Sequence, residues 1–552
     1  MILQKINYKL LYILILIPYL IGLFIPLMEL DSAQHATMAM RMYYENDFFN
    51  IIKSHQPYLD KPHMHYWLAA ISFKIFGVSE FSYRLPAFCF LLLGALSTFK
   101  LGKLLYNKDV GHIASLIFLS SQTIILSAHD VRTDAVLTGS IIFSLWKLIS
   151  YFKTSKIVDI FFGFLFLGIA FNTKGLIAVV AIGLYIFSYL IYERNWKSIF
   201  NWKIGVGIFT FLLAIFPVLY AYYNQFDMHP ELLVKGQKNV SGVKFILWDQ
   251  VFNRLNAVGF EKTSPDYFFF FHTLLWAFIP FSLIGYIAIF NKIKFFIKIK
   301  FRKVAKQEFL TLGGFLSVIL LISFSKFKLP HYLNILIPIL SILTASFLVQ
   351  LFLDKKEKYL KALLIIQYII VGVLVLAVVY LSIFTFKISN WFLVIISVLG
   401  VFGLFYLAFQ KRNYFTKIIL LSVVAAAWIN FNLNALFYPK LLKYQGGLQL
   451  AEIVVDKQIP IEKIYLLKET YNWSFDFYTK KNTKHISVED LEKQNDIWLV
   501  VDEVNFKQIK EKVIDIQDVI SVRHFPVTRL SGKFLNKKTR DKVLTNTYLI
   551  KL

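Results

Sequence analysis

Asp31 closes the first apolar run, and Asp60 and Lys61 sit between Pro57 and Pro62 in the stretch YLDKPHMHYW. Asp130, Arg132 and Asp134 crowd into SAHDVRTDAVLTGS at 127–140, and Lys174 interrupts FNTKGLIA. Arg254 falls in WDQVFNRLNAVGFE, and Lys326, Lys328 and His331 fall in FSKFKLPHYLNILIP. Charges at the edges of long apolar runs are expensive there, so they usually pair with one another or face a cavity. Cations in such a cavity hold and stabilise a phosphate, while an acid beside them serves as a base or a metal ligand. One cavity at the membrane boundary, holding a phosphorylated lipid, accounts for both signs of charge.

Each residue also has a plainer reading. Asp-Ser-Ala-Gln at 31–34 looks like a helix N-cap for the segment that follows, so Asp31 is a cap or a catalytic acid. Asp134 has the same two readings. Arg132 can simply pair with Asp130 or Asp134. Lys61 can snorkel to lipid headgroups instead of binding one phosphate, although that leaves Asp60, the two prolines and the flanking aromatics unexplained. Lys326 and Lys328 can be a snorkelling pair, and Arg254 is a single arginine in a long loop that could grip phosphate with two hydrogen bonds.

The elements that carry these residues follow from composition. Of 552 residues, 57% are hydrophobic, with 56 Phe and 30 Tyr, and the mean hydropathy is +0.58. Runs near 20 apolar residues cross a bilayer as helices, because helices satisfy their own backbone polar groups. The chain therefore reads as a polytopic α-helical membrane protein with about 13 spans. These lie near 10–28, 86–106, 111–128, 135–152, 157–172, 175–192, 204–223, 268–290, 309–324, 332–353, 360–386, 391–409 and 416–436. The first run is too long for a signal h-region and has no small-residue cleavage site before Glu29, so it reads as a retained span. The single cysteine, Cys89, excludes an intrachain disulfide and a cysteine-based metal site.

The net charge of +26 sits mostly in short loops between apolar runs, which points to membrane topology and not to nucleic acid. The loop NKIKFFIKIKFRKVAKQ at 291–307 is the strongest inner-side loop, either a plain positive-inside anchor or a binder of anionic lipid. With the N-terminus in the cytoplasm, the loops 29–84 and 224–267 and the tail after 437 fall on the outer, periplasmic side. Residues 33–45 show helical spacing suited to an interfacial helix, and HYWLAAISFKIFG resumes an amphipathic pattern after Pro62. The tail, 437–552, alternates short strand-like runs (KIYLLK, IWLVV, NTYLIKL) with charged helical ones (VEDLEKQ, VNFKQIKEK). It reads as a small periplasmic α/β domain following a transmembrane domain at 1–436.

Taken in order, DSAQHATMAMRM, YLDKPHMHYWLAAISFKIFGVSEFSYRLPAF, DVRTDAVL, NTKGLIAVV and SKFKLPHYLNILIPIL resemble the GT-C membrane glycosyltransferases. The resemblance is to the branch of the lipid A aminoarabinose transferase and the protein O-mannosyltransferases, and it covers roughly residues 1–340. It implies a dozen or more membrane helices, interfacial helices in the first outer loop and a small outer C-terminal domain. It implies transfer of a sugar from a polyprenyl (undecaprenyl) phosphate donor to lipid A or a related envelope acceptor at the periplasmic face of the inner membrane. It places Asp31 as the first-loop catalytic aspartate, Asp130 and Asp134 in a second acidic loop, and Lys61 on the donor phosphate. Lys326, Lys328 and His331 match a lysine-rich motif near the phosphate pocket. Asp31 is followed by Ser32 where the motif is often Asp-Glu, so the second acid is missing. Some relatives bind a divalent metal. Asp60, where relatives often carry Glu, is the candidate ligand, and spacing alone assembles no ligand set.

Within this class, an alternative is transfer to protein or surface polysaccharide from the same kind of donor. A lipid or sugar transporter would need charges along a path through the middle of the membrane, whereas these cluster at one interface.

Overall fold

The computed structural model describes residues 6–256, 266–387, 390–468, 470–494, 496–512 and 516–552, without the side chains of 254, 255, 492 and 493. Helices dominate up to residue 456. In chain order the first are α1 Tyr8–Gly22, α2 Asp31–Glu45, α3 Met64–Phe76, α4 Glu80–Leu105 and α5 Lys108–Ser120. They are followed by α6 Gln122–His129, α7 Asp134–Thr154, α8 Ile157–Lys174, α9 Leu176–Glu193 and α10 Trp202–Tyr222.

Among the described residues nine helices are long and apolar enough to cross a membrane, or ten if the bent pair α5 and α6 counts as one. The expected count of 13 is therefore not reached by length. The first run forms a helix of only 15 residues, about 22 Å at 1.5 Å per residue, against a hydrocarbon core of about 30 Å. Leu310–Ser323 is likewise short. The run at 268–290 is two helices, Phe269–Ala277 and Ser282–Lys298, broken at Pro280. An apolar run reports what faces lipid or the core, and cannot report where the backbone turns within it.

Two of these turns place the charged residues. α5 and α6 meet at 56° at Ser121, which brings the chain to Asp130 just after α6. α8 and α9 reverse at Gly175, whose φ of +71° is a conformation side-chain-bearing residues resist. A Cβ there would also stand 2.2 Å from Gln250 Oε1. Lys174 is thereby fixed as the last residue of α8. Close helix packing relies on small residues: a Cβ on Gly139 of α7 would lie 2.2 Å from the Phe90 carbonyl of α4.

The loop at 29–84 contains α2, a short hairpin of β1 (Ile52–Lys53) and β2 (Gln56–Pro57), and α3. α2, the helix expected to lie along the membrane surface, is covered by protein: Ser32, Ala33 and every residue from His35 to Met42 are out of solvent. It is covered by α3 and by the C-terminal region. There five strands, β3 Ile464–Leu467, β4 Lys484–Ile486, β5 Trp498–Asp502, β6 Asp518–His524 and β7 Thr545–Lys551, form a sheet of order β4-β3-β5-β7-β6. β3 runs parallel to β4 and β5, and β7 runs antiparallel to β5 and β6. Leu466, Val500 and Leu549 stand abreast across the middle of the sheet. The expected strands at KIYLLK, IWLVV and NTYLIKL are present. VEDLEKQ forms a 3-10 turn where a regular helix was expected, and β4 and β6 carry no run long enough to announce them. The helix Trp473–Thr479 docks this region onto α2: Thr37 Oγ1 lies 3.2 Å from the Trp473 carbonyl, and Ser474 donates to the Glu29 carboxylate. Gln445 clamps the preceding turn, accepting from Glu29 N at 2.7 Å and donating to the Leu27 carbonyl at 2.9 Å.

Candidate active site

Asp31 is the first residue of α2, and no side chain caps that helix. Its carboxylate instead lies 3.0 Å from Arg132 Nη1. The capping reading is thus set aside in favour of an ion pair across 101 positions of sequence. Arg132 Nη2 is 2.7 Å from Asp130 Oδ2, so the guanidinium stands between two carboxylates. Its Nη1 also lies 3.2 Å from His331 Nδ1. The other ring nitrogen of His331 is 3.7 Å from Asp134 Oδ2, and Lys174 Nζ is 2.6 Å from Asp134 Oδ1. Asp134 opens α7 without capping it. Lys174 also lies 4.6 Å from the Tyr332 ring centroid, a cation–π contact. Four separated segments of sequence are thereby joined into one chain of contacts, Asp130–Arg132–His331–Asp134–Lys174, with Asp31 on Arg132.

Burial sets the charge states of this cluster outside the spans. It pushes the Asp130 carboxyl up, while Arg132 pulls it back down. Burial also acts to lower the Arg132 guanidinium, and Asp130, Asp31 and Asp134 more than offset this, holding it protonated.

Lys61 and Asp60 stand side by side, with Nζ 3.4 Å from Oδ2 and little of either exposed. Gln250 Nε2 donates to the Asp60 carbonyl at 2.9 Å and holds the turn. Lys328 is buried, with its ammonium 5.5 Å from the Tyr267 ring centroid. Lys326 is exposed and outside the network of ion pairs, so of the late lysine-rich motif it is His331 that joins the cluster directly. The side chain of Arg254 lies outside the described residues.

Two cavities meet at this cluster. One, of about 270 Å³, is walled by apolar residues such as Leu176, Ile177, Val180 and Leu321, and carries Asp134 and Lys174. The other, of about 400 Å³, carries Asp130, Arg132, His331 and Asn334, and is closed by Val527 and Thr528 of the C-terminal region. Asp134 belongs to both walls. The buried Arg132 Nε and Asn334 Nδ2, and Gln250 Oε1 in the apolar cavity, have no partner among the described residues. Unpartnered buried groups beside a cavity are groups available to a ligand.

A divalent metal does not fit the donor set. Among the described residues no three His, Cys, Asp or Glu side chains converge. Asp31 and Asp130 already share a guanidinium, and Asp60 faces a lysine.

Several supporting residues were missed at the level of sequence. Arg84, in the run FSYRLP, is fully buried and donates to four backbone carbonyls: His129 at 2.9 Å, Pro26 at 2.9 Å, Leu23 at 3.4 Å, and Ile25. It ties the end of α6, just before Asp130, to the segment just before Asp31. His35, one turn after Asp31, has Nδ1 2.7 Å from the Tyr66 hydroxyl, and His65 Nε2 is 3.2 Å from the Tyr83 hydroxyl. Burial lowers all of these imidazoles, His65 to about 4, so they stay neutral.

Comparisons with known proteins bear on the family and the fold. Residues 60–221 match the family of dolichyl-phosphate-mannose-protein mannosyltransferases. The chain is 25% identical over 393 residues to an undecaprenyl phosphate-alpha-4-amino-4-deoxy-L-arabinose arabinosyl transferase of Proteus mirabilis (strain HI4320), covering 68% of this chain and 66% of the relative. It is 25% identical over 334 residues to the transferase of the same description from Edwardsiella ictaluri (strain 93-146), covering 58% of this chain and 55% of that one. The chain thus spans less than two thirds of the length of these curated relatives. Its fold is similar to the crystal structure of ArnT from Cupriavidus metallidurans bound to undecaprenyl phosphate, with a TM-score of 0.75 at 16% identity, over 98% of this chain and 97% of that one. In sequence over part of its length and in its overall fold, the chain is similar to the GT-C membrane glycosyltransferases of the aminoarabinose-transferase and protein-mannosyltransferase type.

Proposed function

We propose that the protein transfers a sugar from an undecaprenyl phosphate donor to a cell-envelope acceptor at the periplasmic face of the inner membrane. The sugar is 4-amino-4-deoxy-L-arabinose and the acceptor is lipid A. The observation that carries the reading is the apolar cavity that shares Asp134 with the charged cluster, since a polyprenyl phosphate is itself an apolar chain ending in a charged head. The named relatives support the choice of sugar and donor.

The acceptor oxygen attacks the anomeric carbon, the bond from that carbon to the phosphate oxygen breaks, and the electron pair leaves with the lipid phosphate. The transition state resembles an oxocarbenium ion, and a single displacement inverts the centre. Lys61 and Arg132 stabilise the departing phosphate, with Lys174, Arg254, Lys326, Lys328 and His331 supplying the surrounding field. A hydroxyl acceptor loses its proton to Asp31. A phosphate acceptor is already ionised, and Asp31 then orients it or the sugar. Asp130 and Asp134 keep Arg132 and Lys174 in place.

Mass spectrometry of lipid A from cells with and without the gene tests the reading. The expected result is loss of one sugar mass when the gene is absent. An unchanged lipid A profile accompanied by loss of sugar from glycoproteins or surface polysaccharide would overturn the acceptor and retain the donor. Purified protein that carries no polyprenyl phosphate and binds none would overturn the donor.

A further inference from the structure

The C-terminal sheet has a switch point. From the end of β3 the chain leaves toward β4 on one side, and from the end of β5 it leaves toward β6 on the other. In open α/β sheets the crevice outside the carboxyl ends of two such strands is where ligands bind. Here that crevice is a cavity of about 380 Å³, lined by Leu466 at the end of β3, Asp502 at the end of β5, His524 and Thr547. Tyr471 and Asn472, in the turn after β3, complete it.

The lining has the chemistry of a sugar site. Tyr471 is 46% exposed and stacked on the buried Trp473, with ring centroids 5.2 Å apart and planes within 7°. Lys53 of β1 sits 5.2 Å from the Tyr471 centroid and steadies the pair. Such a ring offers an apolar face to the C–H face of a pyranose. Around it stand an amide, hydroxyls, a carboxylate and an imidazole, which match a ring of hydroxyl and amine groups that both donate and accept. His524 Nδ1 accepts from Gly446 N at 3.1 Å, which leaves Nε2 carrying the proton as a donor. Glu29 and Asp502 set two acids against the one guanidinium of Arg529 in the lining, so the crevice is no trap for a polyanion.

The crevice also abuts the reaction site. Val527 and Thr528 wall both this cavity and the one that carries Asp130 and Arg132. Glu29, in its lining, is two residues before Asp31. We infer that this crevice is a saccharide subsite, which holds the sugar backbone of the acceptor while the reacting oxygen extends toward Arg132. The inference rests on the transferase reading for its role, and its binding chemistry is tested separately.

Saturation-transfer NMR on the full-length protein in nanodiscs, with a β-1,6-linked glucosamine disaccharide and its N-acetylated form as probes, is the experiment. At least one probe is expected to bind, Tyr471→Phe to bind it as the wild type does, and Tyr471→Ala to bind it at least tenfold more weakly. Undecaprenyl phosphate uptake and thermal stability should be the same in all three proteins. No saturation transfer to either probe in the wild type, or unchanged binding in Tyr471→Ala, overturns the subsite. Failure of the wild type to take up undecaprenyl phosphate would instead strike the donor reading, and leaves the disaccharide result to stand or fall by itself.

Discussion

Lys174, the last residue of α8, and Asp134, the first of α7, meet at 2.6 Å with both side chains almost fully buried. Removing one partner of such a pair strands a charge in a low-dielectric site, at a cost of about 3–5 kcal/mol. Lys174→Met and Asp134→Leu should each lower the thermal midpoint in detergent strongly. The double variant should recover much of the loss, because no uncompensated charge remains. Additive losses in the double variant would show that the two residues do not act as a pair.

Asp31 behaves differently, because its carboxylate is about half exposed. An ion pair at that exposure contributes less than about 1 kcal/mol, so Asp31→Asn should fold and melt near the wild-type temperature. Its turnover on a hydroxyl acceptor should fall by roughly 10²–10⁴-fold, the usual worth of a positioned base. A transfer assay with the purified variant, paired with its melting curve, reads both numbers.

Lys61→Ala should leave the fold intact and reduce turnover by roughly 10²-fold, as loss of one preorganised charge at a leaving group does. Lys61→Arg, which keeps the charge in a different shape, should fall between the two. Donor kinetics measured on all three proteins would show it. Equal rates would remove Lys61 from the phosphate site.

Arg84 has no solvent exposure and serves four backbone carbonyls. Hydrogen bonds from a charged donor contribute about 1.5–3 kcal/mol each. Arg84→Lys cannot reproduce the planar fork, so it should cost more than about 3 kcal/mol and lower the yield of folded protein in size-exclusion profiles.

Asp476, in the helix that docks the sheet onto α2, is driven by burial from 3.8 up to about 7, against the hydrogen bonds it accepts from Thr483. A carboxyl raised on folding contributes its full stability below its unfolded pKa and loses it as pH rises through the folded one. Between about pH 4 and pH 7 this group therefore makes the native state progressively less stable. Asp476→Asn keeps the Oδ1 acceptor and removes the titration. Its melting temperature should match the wild type at pH 4 and exceed it above pH 7, in a pH series of thermal melts.

Much of the site was legible in the residues themselves. Asp31, Lys61, Arg132, Lys174 and His331 stand out because each is a charged or titratable group at the edge of an apolar run, where unpaired charge is costly. Their pairings were legible only in part: Arg132 with Asp130 and Lys61 with Asp60 follow from adjacency in sequence, and the others do not. Arg132 was within reach of Asp130 and Asp134 in sequence, yet it takes Asp31 together with Asp130, and Asp134 goes to Lys174. Arg84 was hidden for the opposite reason: its partners are carbonyl oxygens, which every residue has.

What the sequence determined by itself was the solvent of the fold and the list of charged groups at its boundary. Apolar run length and the placement of Lys and Arg in short loops are local quantities, and lipid enforces them residue by residue. The tertiary structure decided the rest. It broke the run at 268–290, buried α2 between α3 and the helix Trp473–Thr479, and opened a crevice at the ends of β3 and β5, from which the chain leaves in opposite directions. Contacts between residues a hundred or more positions apart are set by packing, and no local pattern encodes them.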